Sequence, residues 1–294
     1  MTNVVFLLTP GLHLLDLAGP AQVFGTAGYD LHYVAERADV RTHQGLIVTA
    51  STILPPTCPD DLVVIPGWKA PLSSGEFSSG WLDFIRAHHA AGGTVVSVCA
   101  GADALGRAGL LDGRRCTTHH ELQDSLARRH PRAVVVPDVL FVTDDRVLTS
   151  AGIASGIDLS LHVIAMRHGP AAAARIARSM VVYARRNGDE PQASAMLRHR
   201  AHLNDAVHRV QDRIDAHFAE PLPLPGLAAT AGVSERTLTR LFESAAGCSP
   251  LRYQQALRLE RAEHLIGHGS TVEAAARAVG FGDARMLRRL RARA

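Results

Sequence analysis

Apolar residues follow two rhythms along this chain, and the rhythm changes once. Up to residue 185, short β-branched runs recur: NVVFLL (3–8), LHYVAE (31–36), DLVVIP (61–66), GTVVSV (93–98), AVVV (133–136) and RVLTSA (146–151). Helix-like stretches lie between several of them, among them GWLDFIRAHHAAG (80–92) and ASGIDLSLHVIAMRHG (154–169). The runs at 61–66 and 93–98 are almost wholly apolar, as strands buried on both faces must be. Strand and helix in alternation predict a mostly parallel sheet covered by helices. Right-handed crossovers then place functional residues at the carboxyl ends of the strands.

The segment RRNGDEPQASA (185–195) breaks the pattern: it is polar and holds Gly188 and Pro191. It predicts a linker, which sets the expected domains at 1–185 and 203–294 with 186–202 between them. Beyond it the strand rhythm is gone. LNDAVHRVQDRIDAHF (203–218) spaces Leu203, Val207, Val210, Ile214 and Phe218 at three- and four-residue steps, which predicts an amphipathic helix. Pro221, Pro223 and Pro225 stop it.

The chain beyond these prolines repeats itself. AATAGVSERTLTRL (228–241) and AARAVGFGDARMLRRL (275–290) each pair an alanine-rich helix with a glycine turn, a polar cap and a helix ending L-x-R-L. Gly232 permits the tight turn, and Ser234 and Asp283 can accept the free amides of the second helix in each pair. Leu238, Leu241 and Phe242 would fix the second helix, leaving Arg236, Thr237 and Arg240 outward. This is the pattern of a helix-turn-helix, whose second helix fits the major groove of DNA. The expected architecture is thus an α/β sandwich followed by an all-α double helix-turn-helix domain.

Charge sharpens this picture. The formal net charge of +3 arises wholly beyond Arg200, and five of the last ten residues are arginine. Basicity confined to one end suits a polyanion partner there. Four scattered cysteines, Cys58, Cys99, Cys116 and Cys248, exclude a disulfide framework or a zinc site by spacing and point to a reducing cytoplasm. The start, MTNVVFLLTPG, reads as a strand and not as a signal peptide, and no apolar run approaches the ~20 residues that span a bilayer. No metal or cofactor is expected.

One cysteine stands out. Cys99 follows GTVVSV and precedes GADALGRAGLL, so a strand runs through a sharp turn into a helix, as at a nucleophile elbow. The helix amino terminus is expected to lower the thiol pKa. A nucleophile also needs a base, and His119 is the candidate. The other reading makes Cys99 inert packing, as Cys58, Cys116 and Cys248 are expected to be.

Two resemblances cover most of the chain. Residues 3–183 resemble the ThiJ/PfpI superfamily through PGLHLLDLAGPAQVFG (10–25), VVIPG (63–67), SVCAGADALGRAGLLDGRRCTTHH (97–120) and LTSAGIASGIDLSLHVI (148–164). That resemblance implies a flavodoxin-like sandwich. It places Asp16 beside Cys99, matches His119 to the family histidine, and lines an anion or oxyanion pocket with Gly67 and Ala100. Trp68 stands where many relatives carry a second glycine, and it either lines the pocket or covers the sheet end. Ala100 stands where the family's proteases carry histidine, which argues against proteolysis. Isocyanide hydratases of the superfamily share a similar D-L-x-G-P segment.

Residues 205–290 resemble the AraC/XylS DNA-binding domain through LPGLAATAGVSERTLTRLFESAAGCSPLRYQQALRLERAEHLI (224–266) and TVEAAARAVGFGD (271–283). The resemblance assigns DNA contacts to Ser234, Arg236, Thr237, Arg240, Arg285 and Arg288. Arg291 stands where Phe242 stands in the first copy, and the family's closing helix is not seen, so a truncated second subdomain and weaker binding through it are expected. The order of the two parts resembles the GlxA-type transcriptional regulators. It implies a homodimer that binds double-stranded DNA, senses a small-molecule effector and is not held in a membrane. The alternative is a cysteine-dependent hydrolase or hydratase with a vestigial DNA module.

Overall fold

The computed structural model describes residues 2–69, 71–182, 186–192, 194, 198–200, 202–267 and 269–292. The chain divides into two units, Met1–Gln192 and Ala193–Ala294. In the first, strands β1 (Asn3–Leu8), β2 (Asp30–Ala35), β3 (Leu62–Ile65), β4 (Thr94–Val98), β5 (Phe141–Asp144) and β6 (Val147–Ser150) form one sheet in the order β2-β1-β3-β4-β6-β5. All neighbours run parallel except β5, which pairs antiparallel with β6 at the edge. The central strands β1, β3 and β4 are buried nearly end to end, which their unbroken apolar runs require.

Helices α1 (Leu14–Thr26), α2 (Ser79–Ala90), α3 (Ala102–Arg107), α4 (Gln123–Arg129), α5 (Ser155–His168) and α6 (Pro170–Ser179) connect and cover these strands. Helices α1, α5 and α6 pack together, as do α2 and α3. The expected α/β sandwich is therefore present. Two features depart from the sequence expectation. The run 133–136 contributes only Val134–Val135 to a two-strand ladder with Arg115–Cys116, outside the central sheet. The edge strand β5 was not expected, and neither was the ribbon of Asp39–Arg41 with Ile47–Thr49.

The expected linker is shared out. Arg186 grips buried Asp158 at 2.6 Å, and Gln192 donates to the carbonyls of Thr118 and Val139, so 186–192 lie on the first unit. The His199 carbonyl accepts from Gln211, and Arg200 pairs with Asp212 and Asp215, inside the second unit. Residues 193, 195–197 and 201 of that stretch lie outside the described residues.

The second unit contains α7 (Asp205–His217), α8 (Leu224–Ala231), α9 (Glu235–Ala246), α10 (Pro250–Gly267), α11 (Val272–Ala278) and α12 (Ala284–Arg291). Leu203, expected on the apolar face of α7, instead precedes the helix and is exposed, because Asn204 caps it by accepting from the Val207 N–H. There are two small cores. Val207, Val210, Ile214, Leu238, Phe242 and Tyr253 are among the residues that fill the first. The second rests on smaller side chains, Ala262, Ala275, Ala276 and Val279, with Phe281 and Leu287.

Candidate functional site

Strand β4 ends in a 3-10 turn, Cys99–Gly101, before α3 begins. Cys99 takes φ +55°, a left-handed conformation that a side chain with Cβ rarely adopts. The surroundings hold it there. The Thr118 hydroxyl donates to the Cys99 carbonyl at 2.7 Å. Two glycines clasp the side chain: a Cβ on Gly67 would lie 2.6 Å from Cys99 Cβ, and one on Gly152 would lie 2.2 Å from it. No other residue fits at these two places. Behind the elbow, buried Asp103 on α3 binds Arg129 and His130, each at 2.8 Å.

The chemistry of the elbow differs from the sequence expectation. Cys99 is only 4% exposed, and burial first, then the neighbouring Asp16 carboxylate, push its thiol well above the ordinary range. The Ala100 N–H opposes this and is outweighed. The expected lowering of the thiol pKa is therefore not found, because burial and the Asp16 carboxylate outweigh what favours the thiolate. Asp16, at the start of α1, is fully buried, and burial raises its carboxyl to about 6. The Ile153 N–H donates to its Oδ1 at 2.6 Å. The thiol of Cys99 and the N–H of Gly67 approach the carboxyl, yet Oδ2 completes no regular hydrogen bond. Each group binds its proton more firmly than it would in water, yet at neutral pH only the thiol keeps it, because a carboxyl at about 6 is mostly ionised there.

His119 does not serve Cys99 as a hydrogen-bonded base. Its Nδ1 accepts from the Glu121 N–H at 3.4 Å, and its ring lies 4.2 Å from that of His120. Burial and His120 lower its pKa. It belongs instead to a rim. His13 and His43 have ring centroids 5.0 Å apart, and burial, His43, Lys69 and His119 together lower the His13 pKa. Backbone bonds interlace the loops that carry them: His13 N–H to Gly67 O, His43 N–H to Leu12 O and Lys69 N–H to Gly11 O.

Trp68 is 1% exposed, with its ring against Phe77 and closed over by Gly75. It is as buried as Asp16, Cys99 and Ala100, and its ring packs among aromatic side chains. Sequence reasoning passed over Gly152 and Ile153, although both lie in the quoted segment 148–164. Their positive φ values of +94° and +50° are invisible in composition, and only the glycine gave a signal.

In the second unit both repeats are helix-turn-helices. Ser234 accepts from the Thr237 N–H, and Asp283 accepts from the N–H groups of Arg285 and Met286, so both expected caps are made. Leu238 and Phe242 are buried, while Arg236 and Arg240 are exposed on α9 with Thr237 half-buried beside them. On α12 Arg285 is exposed, but Arg288 is engaged by Glu273 at 2.5 Å. Arg291, at the place of Phe242, lies on the surface and pairs with Glu263 at 2.7 Å. The two motifs are therefore alike in fold, and each second helix keeps two exposed arginines outside these pairs, Arg236 and Arg240 on α9 and Arg285 and Arg289 on α12.

Comparison with known proteins agrees with this division. Residues 2–166 match the DJ-1/PfpI family, and residues 227–294 match a helix-turn-helix domain. The HTH-type transcriptional regulator GbdR of Pseudomonas aeruginosa is 35% identical over 184 residues, covering 62% of this chain and 50% of that protein. The isonitrile hydratase of Pseudomonas putida is 39% identical over 176 residues, covering 54% of this chain and 69% of that protein. An AraC family transcriptional regulator of known structure, also from Pseudomonas putida, superposes with TM-score 0.54 at 22% identity, covering 61% of this chain and all of that one. The chain spans half the length of the first curated relatives it matches.

Proposed function

We propose that this chain, which belongs to the DJ-1/PfpI family, is a sequence-specific DNA-binding transcriptional regulator whose first unit senses a small molecule. The observation that carries this reading is the pair of helix-turn-helices, with Arg236, Arg240 and Arg285 exposed on their second helices. Glu273 and Glu263 pair with Arg288 and Arg291 of the second motif, which leaves Arg285 and Arg289 exposed on its second helix. The sensing site is the ground around Asp16, Gly67, Cys99, Ala100 and His119, where a ligand can exchange hydrogen bonds with a carboxyl that lacks a regular partner on Oδ2. A ligand preference of a few kcal/mol for one arrangement of the protein is enough to couple that site to DNA. The protein acts as a homodimer in the cytoplasm, and among the described residues no helix is long and apolar enough to cross a membrane.

The test is DNA selection by the full chain from random duplexes, repeated with Arg240→Ala. A selected site that the substitution weakens by about 1–3 kcal/mol supports the reading. Failure to select any sequence at low or physiological salt overturns it.

A second reading rests on one specific observation. A buried acid with a pKa of about 6 beside a thiol is a proton-transfer pair, and a relative with 39% identity is named a hydratase. In that case isonitrile hydration would be lost in both Cys99→Ala and Asp16→Asn. An unchanged transcriptional response in those variants would separate catalysis from signalling.

A further inference from the structure

The long helix α10 carries a side chain that neither the capping nor the reading of DNA requires. Arg258 is half-buried and aims its guanidinium at three carbonyls. Its Nε donates to Phe218 O at 2.6 Å, one terminal nitrogen donates to Glu220 O at 2.8 Å, and the other donates to Gly280 O at 2.9 Å. Its plane also lies over the Phe281 ring, 5.6 Å from the centroid. Phe218 and Glu220 close the end of α7, which packs in one core with the helices of the first helix-turn-helix. Gly280 and Phe281 form the turn of the second.

One guanidinium therefore joins the end of α7, on the first motif's core, to the turn of the second motif, away from both recognition helices. The fit is close on both sides. Gly280 has φ +83°, and a Cβ there would lie 1.8 Å from Ala219 O. Gln254, one turn earlier on α10, binds the same Phe218 and Glu220 carbonyls but makes no bond to the second motif. A planar fork with donors on three sides suits such a joint, and an ammonium group does not.

We propose that Arg258 is the positioning residue that sets the distance and phase between the two recognition helices, and hence the spacing of half-sites the protein accepts. This rests on the DNA-binding reading of the second unit. Two recognition helices reach successive major grooves only if their separation matches the helical repeat, so a joint between the end of α7 and the second motif's turn acts on half-site spacing.

Two measurements on the full chain test it. In the first, spin labels at Ser244→Cys and Arg289→Cys, in a Cys58→Ser/Cys248→Ser background, report the distance between α9 and α12 without DNA. A narrow distribution that broadens in Arg258→Ala and in Arg258→Lys, but not in Gln254→Ala, is expected. A distribution unchanged in Arg258→Ala overturns the proposal. The second uses a duplex selected by the wild type, with and without an insertion of about 5 base pairs, half a turn, between its half-sites. The wild type is expected to lose about tenfold or more in affinity on insertion. Arg258→Ala is expected to bind a single half-site as the wild type does, and to bind the two spacings alike. Retention of the wild-type spacing penalty, or equal loss at the single half-site, overturns the proposal. If the wild type selects no sequence, the DNA-binding reading fails by itself, and the distance measurement still judges the joint.

Discussion

Replacing Asp16 with asparagine should stabilise the first unit at neutral pH while removing its response to ligand. The carboxyl rises from 3.8 to about 6 on folding, chiefly because it is buried. Between those values the folded chain binds more protons than the unfolded chain, so stability falls as pH rises through that window and stays low above it. At about 1.4 kcal/mol for each tenfold step, the rise of about 2 in pKa costs about 3 kcal/mol at pH 7. Asparagine keeps an acceptor for the Ile153 N–H and carries no charge to desolvate. Its amide nitrogen, placed where Oδ2 was, faces the Gly67 N–H and takes back part of the gain. A net stabilisation of about 1–3 kcal/mol at pH 7 is expected, vanishing near pH 4. The assay is urea unfolding of wild type and variant across pH 4–8, followed by tryptophan fluorescence. Both tryptophans, Trp68 and Trp81, lie in the first unit, so the signal isolates it. A variant less stable than the wild type at pH 7, or a wild type whose stability does not fall between pH 4 and 6, refutes the reasoning. A destabilising carboxylate kept at this position is what a functional group looks like in a stability measurement.

The same geometry sets three further outcomes. Gly152→Ala places a Cβ 2.2 Å from Cys99 Cβ at a φ of +94°, so thermal unfolding should show a loss of about 2–4 kcal/mol. Burial alone would raise the Asp103 carboxyl, yet hydrogen bonds from His130 and Arg129 hold it below the usual range, so its contribution is full above the unfolded pKa and lost as pH falls through the folded one. Asp103→Asn should accordingly destabilise by about 3 kcal/mol at pH 7 and by less in acid, as denaturation at the two pH values will show. Glu273→Gln releases Arg288, and filter binding across salt concentrations should show tighter DNA binding and a salt slope steeper by about 1.

The sheet was legible because its inner strands are buried on both faces and must be apolar without interruption, as DLVVIP and GTVVSV are. The edge strand β5 was not, because FVTD at an antiparallel edge needs neither alternation nor length. The repeated motif was legible from turns and caps, since Gly232, Ser234 and Asp283 each have a local reason to be what they are. The placement of Cys99 on an elbow was likewise written in the step from strand to helix. Its protonation was not. That depends on how much water reaches Asp16 and Cys99, which is set by Gly67, Gly152 and Ile153 from distant parts of the chain. The pairing of Arg288 with Glu273 and the three-way bond of Arg258 also join residues 15 or more apart, beyond any local pattern.

Reading of DNA through α9 is the step on which the proposed regulatory function depends. Genome-wide occupancy of the full chain in cells, compared between wild type and Arg240→Ala, tests it most directly. Discrete sites sharing one sequence motif are predicted, most of them lost in the variant at equal protein level. Occupancy without a shared motif, or an identical pattern in both proteins, would contradict it.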